Sequence, residues 1–211
     1  MLEIVLVRHG ETAWNTGEVF RGRADVGLND TGRRQAELVA KCLSEDKIDF
    51  IYSSPLRRAV ETAEAIARYH GLEISTVSNL IDFDFGEWQG RSLKEVRAEY
   101  GEIYRDWTDT PEQVSIPGGE SLKDVSCRAM PFVEDAVMRC GDGRILMVSH
   151  RVVCKVLICG LLGIDNSRFP NIRMDTGGIT RFDCGEGRLV LTIHNDTSCL
   201  RPIGAAVLND F

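Results

Sequence analysis

Two histidines stand where a side chain can do chemistry, each at the end of an apolar run. Arg8 and His9 follow Leu2–Val7, and His150 and Arg151 follow Arg144–Ser149. A third run, Ile48–Tyr52, ends in Ser53-Ser54-Pro55 and leads into Arg57 and Arg58. An imidazole serves as nucleophile or proton carrier near neutral pH, and a guanidinium grips anions through a rigid fork of N–H donors. An arginine opening a helix opposes the macrodipole by roughly 0.3–1 kcal/mol when exposed, and a bound anion reverses that sign. The work these residues suit is work on an anion. The plain alternative is strand ends turning polar on meeting water, and Arg33 and Arg34, at another helix start, fit it as solvated charges.

The three runs deliver their side chains to one place only if they lie in one sheet. Strand and helix patterns alternate along the chain. Ala36, Val39, Ala40 and Leu43 share one face of a helix over Arg33–Glu45. A second helix over 55–69 turns Ala59, Val60, Ala63 and Ile66 inward, with Ser54 as N-cap and Pro55 as first residue. Glu73–Val77 reads as a weaker strand, and 81–91, IDFDFGEWQGR, has no period and reads as a loop. Ser92 with Glu95, and Ser121 with Asp124, have capping-box spacing and predict helices near 92–107 and 121–140. The segment 152–162 is apolar all round, a buried helix. Ile179–Cys184 and Leu189–His194 form a closing strand pair around GEG. This order predicts an α/β fold, a three-layer α/β/α sandwich on a mostly parallel central sheet. Such sheets bind ligands outside the carboxyl ends of their strands. One domain over 1–211 is expected, with a small helical cap near 91–117.

Composition narrows the ligand. A net charge of −7 argues against a nucleic-acid partner, yet leaves room for one basic pocket. The seven cysteines form no CxxC pair, so neither a disulfide framework nor a zinc ribbon fits. The first apolar run is short and carries Glu3, so no signal peptide is expected, and no run is long enough to span a membrane. A cytoplasmic protein acting on small metabolites is the expectation.

RHGET with Asn15 downstream, FRGRADVGLNDTGRRQAE, SSPLRRAVETA, FGEWQGRS, PGGES and VSH occur in that order between residues 8 and 150. Together they resemble the histidine phosphatase superfamily, the phosphoglycerate mutase-like fold. The resemblance implies a covalent phosphohistidine route. His9 attacks phosphorus, Arg8, Arg58 and His150 clamp the phosphoryl oxygens, and Asn15 and Arg21 lie near phosphate or substrate. It implies no cofactor and no metal.

Members of the family usually place a glutamate donor three residues before the aromatic of FG-x-W. Here that position is Asp82, one methylene shorter, with Asp84 and Glu87 as alternative donors and Glu87 also a candidate substrate contact. Phe85 and Trp88 read as packing residues that can also wall a pocket. His150 and Cys154 are four residues apart, a spacing metal ligands use, but no third ligand is placed nearby. The superfamily holds mutases as well as phosphatases. Only 91–117 separates FGEWQG from PGGES, without paired arginines, so a water-accepting phosphatase of broad-specificity, phosphoserine or α-ribazole type is expected. A phosphoglycerate mutase is the alternative, and a non-catalytic phosphate-binding protein a third.

Overall fold

The computed structural model describes residues 2–185 and 188–204. Six strands form one sheet in the order β3-β2-β4-β1-β5-β6: β1 Leu2–Arg8, β2 Phe50–Ser53, β3 Ile74–Thr76, β4 Gly143–Ser149, β5 Ile179–Gly185 and β6 Arg188–Asp196. The pairings β3-β2, β2-β4 and β4-β1 are parallel, while β5 runs antiparallel to both its neighbours. Part of the GEG turn expected between β5 and β6, residues 186–187, lies outside the described residues.

β1 and β4 are buried on both faces, which is why they read as unbroken apolar runs. Alternation then sorts their side chains into two layers. Leu2, Ile4, Leu6, Ile145 and Met147 enter one core, and Val5, Val7, Leu146 and Val148 the other. The second core is closed by α2 Asp30–Leu43 and α3 Arg57–His70, and the first by α6 Leu122–Cys140 and α7 Arg151–Leu162. The four-residue α1, Ala13–Thr16, lies in the loop after β1. No helix among the described residues is long and apolar enough to cross a membrane.

Two expectations need correction. A single helix near 92–107 is two, α4 Leu93–Glu99 and α5 Gly101–Asp109, broken at Tyr100, whose φ of −119° and ψ of 33° leave the helical region. The expected Ser92–Glu95 capping box opens α4, and the Ser121–Asp124 box opens α6. The second correction concerns Ser54. Helix α3 begins at Arg57 rather than Pro55, and Ser54 does not cap it. Ser54 is occupied in the site described next.

Candidate active site

Parallel pairing brings the three polar strand ends level. Arg8 lies opposite Ser149, and Ser53 opposite Val148. Each ladder runs one bond beyond its strand: His9 N–H donates to Ser149 O (3.0 Å) and Ser54 N–H to Val148 O (3.0 Å). His9, Ser54 and His150 are thereby held by backbone at the carboxyl edge, and all three are buried.

Two glycine contacts fix the loops around them. A Cβ on Gly10 would meet Gly32 O at 2.5 Å, so the backbone after His9 rests directly on the first turn of α2. Gly10 N–H also donates to Thr62 Oγ1 of α3 (3.1 Å). The second contact holds the segment that carries Asp82. A Cβ on Gly119 would meet Asp84 O at 2.3 Å, and Glu87 N–H donates to Pro117 O (2.9 Å). Arg128 of α6 donates to Asp82 O (3.1 Å) and to Glu120 Oε1 (2.9 Å), bracing the same segment.

The hydrogen bonds assign the protons. His9 Nδ1 lies 2.6 Å from Gly10 O. A carbonyl only accepts, so Nδ1 carries hydrogen and Nε2 keeps its lone pair. Burial, then the charge of Arg58, His150, Arg8 and Arg21, holds His9 well below the ordinary imidazole value, so it is neutral near pH 7. Arg58, fully buried, donates from Nε to His150 Nδ1 (3.3 Å) and from one terminal nitrogen to Asp82 Oδ2 (2.8 Å). Its remaining bonds go to Gly22 O and Ala24 O, 2.8 Å each. His150 therefore accepts at Nδ1 and donates from Nε2 to Ser54 Oγ (2.7 Å). Burial first and the arginines second depress its pKa too. Both ring nitrogens of His150 are held by protein groups, and Cys154 is a buried thiol raised to about 12 by desolvation.

A pocket opens over this floor, lined by His9, Arg21, Asp82, Arg151 and the apolar Val19, Phe20, Phe85 and Val152. The remaining expected residues fall as follows. Arg8, Arg58 and His150 are buried against His9 and Asp82, and Arg8 donates to Met174 O (2.7 Å). Asn15 is buried in the turn after His9, where its Oδ1 accepts from Thr12 N–H (2.8 Å). Asp84 pairs with Arg23 (3.2 Å), and Glu87 is exposed and accepts from the Tyr100 hydroxyl (2.7 Å). Neither is among the pocket's lining residues. Phe85 is a wall, while Trp88 is a core residue packed on Phe20. Sequence reasoning missed the brace of Arg23, Arg128 and Glu120, which no local pattern announces. It also gave Arg151 no role, although the residue's place directly after His150 was the signal.

The histidine phosphatase superfamily (branch 1) model matches residues 4–197. Phosphoserine phosphatase 1 of Hydrogenobacter thermophilus is 36% identical over 93% of each chain. A probable phosphoglycerate mutase of Yersinia enterocolitica is 30% identical over 88% of this chain and 86% of its own. Among solved structures, a mycobacterial glucosyl-3-phosphoglycerate phosphatase in complex with VO3 superposes with a TM-score of 0.87 at 28% identity, covering 92% of this chain and 99% of that one. With its family motifs gathered at one sheet edge and the match running nearly end to end, the chain belongs to the histidine phosphatase superfamily.

Proposed function

We propose that the protein hydrolyses small phosphomonoesters through a phosphohistidine on His9. The observation that carries this reading is the tautomer: Nδ1–H is spent on Gly10 O, leaving a neutral Nε2 lone pair in a pocket otherwise rich in positive charge. His9 Nε2 forms the bond to phosphorus as the ester oxygen leaves, which replaces one hard displacement with two easier ones. Arg8, Arg21 and Arg58 surround the position the phosphoryl oxygens take, so most of the acceleration is placement and charge stabilisation. His150, in its Nε2–H form, orients Arg58 without adding a further cation to the floor.

Asp82 is the proton carrier in this scheme. As the acid it protonates the leaving oxygen, and as carboxylate it then takes a proton from the water that attacks the phosphohistidine. Substrate phosphate and Asp82 compete for Arg58, so phosphate entry frees the carboxyl to face the leaving group. Hydrolysis rather than phosphoryl return to a second acceptor fits the 91–117 segment. There Arg91 pairs with Glu99 (2.6 Å) and Arg97 lies 4.9 Å over the Tyr104 ring, so neither is directed at the pocket.

The test is phosphate release from p-nitrophenyl phosphate, phosphoserine, 3-phosphoglycerate and α-ribazole phosphate, with chelator, by the native protein and His9→Ala. Release that survives the chelator and disappears in the variant is expected, with an acid-labile phosphoryl group trapped on the native protein. Turnover by His9→Ala, or transfer of the phosphoryl group between substrate hydroxyls in place of release, would overturn the reading.

A further inference from the structure

The lone pair on His9 Nε2 rests on one carbonyl, Gly10 O, 2.6 Å from Nδ1. In a neutral imidazole, the bond made by one nitrogen decides which of the two carries hydrogen. Gly10 O shares a peptide plane with Glu11 N–H, and this peptide is trans. Carbonyl and amide of a trans peptide point in opposite directions, so whatever holds the amide aims the carbonyl. Glu11 N–H donates to Gln35 Oε1 of α2 at 2.7 Å. Gln35 thus stands directly behind the peptide that faces the histidine.

The planes on either side are held by other groups. Gly10 N–H donates to Thr62 Oγ1 (3.1 Å), whose hydroxyl donates onward to Arg58 O (2.8 Å), and Glu11 O accepts from Asn29 N–H (3.0 Å). The middle plane adjoins a glycine, whose open backbone would let that plane turn while its neighbours stay fixed. Gln35 has little freedom of its own. It is buried on α2, in a row of apolar residues that includes Ala36, Val39 and Ala40. A backbone N–H only donates, so the side-chain atom facing Glu11 is Oε1, and Nε2 is left to Thr176 Oγ1 (3.2 Å). The chain from Thr176 through Gln35 and the peptide to His9 is buried throughout, where successive hydrogen bonds polarise and strengthen one another.

We propose that Gln35 is a positioning residue for His9: through the Gly10–Glu11 peptide it keeps hydrogen on Nδ1 and the lone pair on Nε2. It touches neither substrate nor phosphorus, and acts by aiming one carbonyl. Without an acceptor at position 35 the buried amide has no reason to point away from the site, the plane turns, and the two tautomers of His9 compete. The Nε2–H form has no lone pair to offer at that nitrogen. The inference rests on the phosphohistidine reading for the use of that lone pair, and its test is made on the ring itself, apart from turnover.

The tautomer is read by nitrogen NMR of protein labelled in its histidine rings at pH 7.5, with the spectrum of His9→Ala assigning the His9 signals. The native ring is expected to carry hydrogen on Nδ1. Gln35→Met fills the same space without an acceptor for the amide. It should move a large share of His9 to the Nε2–H form and lower kcat on p-nitrophenyl phosphate about 10-fold, with KM little changed. Gln35→Glu still offers an oxygen to Glu11 N–H and should restore most of the Nδ1–H form and of the rate. A folded Gln35→Met that keeps hydrogen on Nδ1, or a Gln35→Glu as impaired as Gln35→Met, would overturn the proposal. Thermal melts show which variants fold. If Gln35→Met does not, Gln35→Asn, one methylene short of the amide, decides in its place: a shift toward Nε2–H supports the proposal and an unchanged ring overturns it. Native phosphate release is read separately. Its absence would sink the phosphatase reading while leaving the tautomer comparison decisive for Gln35.

Discussion

Arginine clusters stand at both ends of the sheet, and β1 carries a member of each. At the amino ends, Arg144 and Arg181 face Glu3 and Asp46: Arg144 bonds both acids, and Arg181 reaches Glu3 at 2.8 Å and Asp46 at 2.5 Å. Two cations meet two anions in a closed ring. At the carboxyl ends, Arg8, Arg21 and Arg58 gather around two histidines, with Asp82 the acid bonded to Arg58. The consequences for titration are opposite. Burial disfavours the charge on Arg181, but its acid partners outweigh that and raise its pKa; at the other end burial and arginine charge act together to discharge both imidazoles. The first cluster spends its charges on structure, and the second, which holds two imidazoles neutral among arginines, has the perturbed titration of a functional site.

That contrast is tested most severely at His9, the proposed nucleophile. His9→Ala should lower turnover by on the order of 10³-fold or more, with the fold intact, as judged by phosphate release and circular dichroism. Asp82→Asn should cost roughly 10²-fold or more on alkyl phosphates, whose leaving oxygen needs a proton. On p-nitrophenyl phosphate the loss should be far smaller, and Asp84→Asn and Glu87→Gln should leave both rates near native. Equal losses from Asp82→Asn on both substrates would remove it from the proton transfer. Ser54→Ala releases the Nε2 side of His150 and should reduce kcat by about 10-fold, with little change in KM, through misplacement of Arg58.

The remaining two predictions concern stability. His9 and His150 are depressed below 6.5 in the folded protein, so between that value and their folded values the unfolded chain binds more protons. Stability should therefore fall as pH drops below about 6.5, by at most ~1.4 kcal/mol per pH unit for each histidine. Urea midpoints at pH 7.5 and 5.5 should show a shallower loss in His150→Gln than in the native protein. At the opposite end, Glu3→Gln should cost about 1–2 kcal/mol, between the values of exposed and buried pairs, and leave kcat/KM untouched. A drop in activity with Glu3→Gln would break the division of labour between the two ends.

What could be read from the chain follows from how local each signal is. Leu2–Val7 and Arg144–Ser149 are buried on both faces, so their apolar runs announced central strands, and the strand ends announced Arg8, His9 and His150. Ser92 and Ser121 cap helices through partners three residues on, and both boxes form as read. The break in the 92–107 helix was available in Gly101, which follows Tyr100, but the periodicity across it hid the signal. Ser54 shows a different limit. Its place before Pro55 suits an N-cap, yet His150 lies 96 positions away in sequence and takes the hydroxyl at 2.7 Å. The hydroxyl serves both: it also accepts from Leu56 N–H (3.3 Å), and the bond to His150 is the part that no local pattern could reveal. The position of Asp82 before Phe85 places it first among three acids, and only the fold shows where they lie: Asp82 in the pocket lining, Asp84 paired with Arg23 and Glu87 accepting from Tyr100.

The position of β1 has a consequence for the order in which the molecule comes into being. This strand lies between β4 and β5, with Leu2 paired to Gly143 on one side and Cys184 on the other. Both of its hydrogen-bonding partners lie far downstream in sequence and leave the ribosome after it. Contacts so distant in sequence make for slow, late assembly. His150 and β4 arrive together, so β1 finds its neighbour at the moment the second histidine becomes available. Until β4 emerges, a nascent chain thus carries the RHGET motif without the strand that completes its side of the site.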